Sequence, residues 1–95
     1  MRSQEKSIGE ILKLMTREYG MELKLLQAQA IDAWYSEVPP VFKEHISEVF
    51  MLERKLIVRL DDDVLRHELH YHRSTLVERI NGHLDRPLVQ EIIIK

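Results

Sequence analysis

His67, Glu68, His70 and His72 form the densest group of possible metal ligands in the chain. Imidazole and carboxylate are common zinc donors, so a metal-dependent enzyme is one reading to weigh. The spacing argues against it: H-E-L-H lacks the i, i+4 histidine pair of the H-E-x-x-H motif, and on a helix His72 points about 160° away from His70. Surface or partly packed histidines are expected instead. Asp61, Asp62 and Asp63 have neither the ligand number nor the loop glycine of a calcium site, and their place ahead of an apolar-periodic run suits helix capping. Ser74 and Thr75 fall inside a helical stretch without the glycines of a nucleophile elbow, and the chain has no cysteine. No two carboxylates are paired in a recognisable cleft-forming motif. The sequence therefore reads as that of a non-enzyme, with no catalytic residue, cofactor or metal expected.

Phosphate binding requires clustered cations instead. Arg66, His70 and Arg73 fall at i, i+4 and i+7, a spacing that puts them on one helix face. Arg59 on the strand before, and Arg54 and Lys55 in the turn before that, would extend the track. Arg54, Lys55, Arg59, Arg66 and Arg73 are thus the nucleic-acid-binding candidates. Asp61 to Asp63 and Glu68 lie close enough to offset their field. With 14 Lys and Arg against 16 Asp and Glu, the net charge of -2 supplies no global attraction to a polyanion. Any nucleic-acid contact would be local.

The elements that must position these residues follow from periodicity. Ser7 and Glu10 form a capping box, and Ile8, Ile11, Leu12, Met15 and Tyr19 continue as one apolar stripe up to Gly20, a first helix. Leu23, Leu26, Ala30 and Trp34 carry a second helix that stops near Val38, ahead of Pro39 and Pro40. Trp34 lies on the apolar stripe and is expected as a core anchor rather than a base-stacking platform. ISEVFML and LIVRL read as the strands of a hairpin turning through Glu53, Arg54 and Lys55, although the turn lacks Gly or Asn. Across the three aspartates the period changes from two to that of a helix, with Leu65, Leu69, Leu76, Ile80 and Leu84 on one face. One long helix from Asp61 or Asp62 to about Leu84 is expected, frayed from Gly82 onward. After the break at Asp85, Arg86 and Pro87, LVQEIIIK is a last strand whose apolar residues predict a central, two-sided position. The fold class is α+β: two N-terminal helices, a β-hairpin, a long helix and a final strand, giving a three-stranded sheet covered by helices.

A chain of 95 residues, 44% hydrophobic and 32% charged, is expected to form one domain over residues 1–95 with a single core. Without cysteine, no disulfide or thiolate-zinc staple reinforces it. No apolar run approaches the roughly 20 residues needed to span a bilayer, and MRSQEKS lacks the apolar middle of a signal peptide. A cytoplasmic location is expected, with no membrane partner.

SIGEIL, the tryptophan of AW, the hairpin strand LIVRL, then VLRHEL, RSTLVERIN and a closing LVQEIIIK together resemble the DciA-like family over nearly the whole chain. The layout is similar to the compact form found in Bacteroidetes-type bacteria. The resemblance implies a fold similar to type II KH domains and a role in engaging the replicative helicase DnaB and placing it on single-stranded DNA. On this resemblance Trp34, Leu65, Glu68, Leu69, Leu76, Ile80 and Asn81 occupy recurrent family positions, most of them structural. The polar pair among them, Glu68 and Asn81, would anchor a helix end or a neighbouring loop. The chain departs from its relatives at Pro39 and at Asp85, where they tend to carry glycine. No GxxG clamp of the kind KH domains use on nucleic acid is present. Three functions follow: a helicase-binding adaptor, a sequence-nonspecific nucleic-acid-binding module, or a metal-dependent enzyme built on the histidines.

Overall fold

The computed structural model describes Glu10 and residues 21–95; the helix expected from Ser7 to Gly20 lies outside these residues but for Glu10, which is helical. From Met21 the chain forms α1 (Met21–Glu37), a one-turn helix α2 (Pro40–Lys43), strands β1 (Ile46–Leu52) and β2 (Lys55–Leu60), helices α3 (Asp63–Tyr71) and α4 (Arg73–Leu84), and strand β3 (Glu91–Ile94). β1 pairs antiparallel with β2, and β3 pairs parallel with β2. The α+β class and the three-stranded sheet are as expected, and the layout is consistent with a KH-like arrangement.

The register separates two faces. Leu56, Val58, Leu60 and Ile92 point into the core beneath the helices, where they meet Ala30, Trp34, Leu69, Leu76 and Ile80. On the opposite face Phe50, Ile57 and Ile93 are register partners and form an apolar row across all three strands. Charged side chains flank that row: Lys55 beside Glu91, and Glu48 beside Arg59.

Strand β3 corrects one expectation. The central strand is β2, and β3 lies at an edge. Its apolar character has another cause: Ile92 and Ile94 face the core while Ile93 completes the outer row, so both faces are apolar without a second neighbouring strand. It is also shorter than LVQEIIIK, because Leu88 and Val89 are buried as an irregular lead-in.

The long helix is two helices. At His72 the backbone leaves helical geometry, with φ -100° and ψ 14°, and α4 starts afresh at Arg73. Tyr71-His72-Arg73 contains no glycine or proline, so the break has no local sequence marker. Asp62 caps α3 as expected, its Oδ1 accepting the Leu65 N–H at 2.9 Å.

The end of α4 does not fray at Gly82. Arg86 N–H donates to Asn81 O at 3.2 Å and Asp85 N–H to Gly82 O at 3.3 Å, the paired bonds of a Schellman closure. Asp85 takes the left-handed conformation this requires, φ 56° and ψ 36°. A Cβ at Gly82 would have nothing within 4 Å. One substitution at each position is therefore expected to stabilise the protein: Gly82→Ala by about 1 kcal/mol through helix propensity, and Asp85→Gly by about 1 kcal/mol through relief of the left-handed penalty. Urea denaturation of the two variants checks both values.

A polar tie joins α1 to α4. Glu37, whose side chain is 13% exposed, accepts from Arg79 Nε and lies 2.6 Å from His83 Nε2. The Arg79 and His83 hydrogen bonds hold the Glu37 carboxyl below the usual glutamate range, and the Arg79 guanidinium is raised in turn. Because the folded-state pKa is depressed, this contribution is complete above the ordinary glutamate value of about 4.3 and is lost as pH falls through the folded value. Thermal unfolding between pH 3 and 6 is expected to show a loss of stability at the acid end that is shallower in Glu37→Gln.

Candidate functional site

The five cations expected to line a phosphate track stand in different surroundings. Arg54 occupies the β1–β2 turn, and Lys55 opens β2. Arg59, four residues further along β2, stands about 13 Å from Lys55 at the rise of a strand and donates from Nε to Glu48 at 3.0 Å. Arg66 is a structural tie: it donates to Leu60 O at 2.6 Å, reaches Lys95 O at 3.4 Å and pairs with Asp63, fastening α3 to the ends of β2 and β3. Arg73 starts α4 and donates from Nε to His70 O at 3.0 Å. The break at His72 removes the continuous helix face that would align Arg66, His70 and Arg73. Arg54 and Lys55 thus remain together at the turn end, Arg59 and Arg66 belong to the opposite end of β2, and Arg73 borders a shallow groove with Val77 and Gln90.

The groups that suggest metal chemistry are dispersed. His72 Nε2 lies 3.6 Å from Glu68 and its ring meets Tyr71 edge to face, while His67 and His70 are exposed. Among the described residues no three His, Asp or Glu side chains converge as a metal site. Each of the three aspartates has its own partner: Asp61 bonds His45 at 2.8 Å, Asp62 caps α3 and Asp63 pairs with Arg66.

Of the two polar positions singled out by the resemblance, Asn81 is structural. Asn81 donates from Nδ2 to Val89 O at 2.9 Å and accepts the Val89 N–H at 2.8 Å, so one amide satisfies both backbone groups of a buried residue. Glu68 faces His72 at the end of α3. An isolated polar residue within the α4 stripe is the sequence signal for Asn81.

A groove of about 540 Å³, which shares only Arg54 with the sequence-derived candidates, lies between the first turns of α1, the β1–β2 turn and the segment leading to β3. Arg54 and Arg86 stand at it over Leu23, Leu26 and Leu88. Gln27 Nε2 donates to Glu53 O at 2.8 Å, and Gln90 N–H donates to Arg54 O at 2.8 Å, so the turn is fixed against both neighbours. Glu53 there adopts φ 56°, the positive value that hairpin turns usually give to Gly or Asn. Arg86 and Leu23 come from opposite ends of the described chain, so no local motif joins them.

The family model for DciA, described as Dna[CI] antecedent, matches residues 7–94. The chain belongs to the DciA family. This is a helicase loader-type family associated with DNA replication and not a known enzyme family. No curated protein and no solved structure matches the chain. Among the described residues no helix is long and apolar enough to cross a membrane.

Proposed function

We propose that this DciA-family chain is a non-enzymatic, cytoplasmic adaptor of DNA replication that binds the replicative helicase DnaB and assists its loading on single-stranded DNA. The family match over residues 7–94 carries this reading. The geometry is compatible with it: Asp62 is taken up in a helix cap and Asp63 in a pair with Arg66, while the helices and sheet form a scaffold with exposed faces. DNA contact is secondary. Arg54 and Lys55 are the best-placed of the five candidates for a phosphate, since Arg59 and Arg66 are paired with carboxylates.

A salt titration of single-stranded DNA binding, run beside helicase association, separates this reading from a nonspecific nucleic-acid module. The adaptor retains helicase association at moderate salt with weak or no DNA binding. Tight DNA binding that weakens steeply with salt, without helicase association, would establish the module instead.

A further inference from the structure

We infer that the groove between α1, the β1–β2 turn and the lead-in to β3 is the docking site for an acidic, aliphatic segment of the helicase. This rests on the adaptor reading and adds the contact surface to it.

The groove joins two kinds of recognition. Its floor is aliphatic, with Leu26 half-buried, Leu88 buried and Leu23 42% exposed. Two guanidinium groups line it as well, those of Arg54 and Arg86. Among the described arginines, Arg59, Arg66 and Arg79 are held in carboxylate pairs within hydrogen-bond distance, and Arg73 is bonded to a carbonyl. Arg86 pairs with Glu22 more loosely, at 3.7 Å, an ion pair that a ligand carboxylate can share or replace. Arg54 engages its neighbours through its backbone carbonyl, which leaves the guanidinium to a ligand. Guanidinium groups match carboxylates with two parallel hydrogen bonds, and such arginines beside an apolar floor are typical anchors of protein interfaces.

Charge and shape favour a peptide over a nucleic acid. A base needs an aromatic face to stack on, and the residues lining this groove include none. Glu22 also lines it, so the positive charge is confined to two points, enough for one or two carboxylates but not for a continuous phosphate backbone. A peptide can place one or two carboxylates at Arg54 and Arg86 and lay aliphatic side chains on the leucines. The turn and the β3 lead-in are already fixed by the Gln27 and Gln90 bonds, so the surface is preformed.

Capture of the cognate helicase by the full chain tests this, using the unmodified protein, R54E/R86E and Leu23→Asn, each checked for native far-UV circular dichroism and cooperative melting. The unmodified chain is expected to bind, with affinity at least ten-fold lower for R54E/R86E and reduced for Leu23→Asn. Equal binding by all three overturns the groove assignment and leaves the adaptor reading standing. If the groove variants lose single-stranded DNA binding but keep the helicase, the groove is a nucleic-acid site and the inference fails. Failure of the unmodified chain to capture helicase overturns the adaptor reading, and the inference with it.

Discussion

Trp34→Ala is expected to destabilise the protein by about 3–5 kcal/mol, the range for removing a fully buried aromatic side chain. Trp34 is completely buried within the cluster that joins α1 to β2 and α4. A domain of this size has about 5–15 kcal/mol of stability in total, so the loss is a large fraction of it and should lower the melting temperature clearly. Trp34→Phe should be far milder. It keeps most of the apolar volume and deletes an indole N–H that, among the described residues, is buried without an acceptor. An unsatisfied buried donor costs about 1–3 kcal/mol, which offsets much of the lost packing. Urea denaturation of both variants would measure the contrast, and an equal loss in both would show that Trp34 is not held by packing.

Asn81→Ala is expected to cost about 2–4 kcal/mol, because it orphans the N–H and C=O of Val89, a residue only 2% exposed. For a chain of this length that lowers the melting temperature by roughly 10–25 °C. Asn81→Asp should not rescue it: the carboxylate still accepts the Val89 N–H but sets an anionic oxygen against the Val89 carbonyl. A melting temperature for Asp equal to that of the parent would exclude the two-bond account.

Much of this fold was legible because its signals are local. The periods around Leu23 to Trp34 and Leu56 to Leu60, the double proline after Val38, and Asp62 ahead of Leu65 each fix an element within a few residues. The differences share a cause. Nothing in Tyr71-His72-Arg73 marks a helix break, although Leu69 before it and Leu76 after it both reach the one core. The edge position of β3 was masked by Ile93, which continues on the outer face a row begun by Phe50 on β1 and Ile57 on β2. For the site, residue type identified the cations but not their partners: Arg66 is indistinguishable from a phosphate ligand until Leu60 O and Asp63 are seen beside it. Arg86 was missed because its relation to Arg54 and Leu23 is wholly tertiary.

The central claim is that the folded surface of this chain recognises a helicase. Sedimentation of the purified chain with its cognate replicative helicase, at moderate salt and without DNA, tests it most directly. A stable complex of defined stoichiometry is the predicted result; two species sedimenting independently at concentrations well above the micromolar range would contradict it.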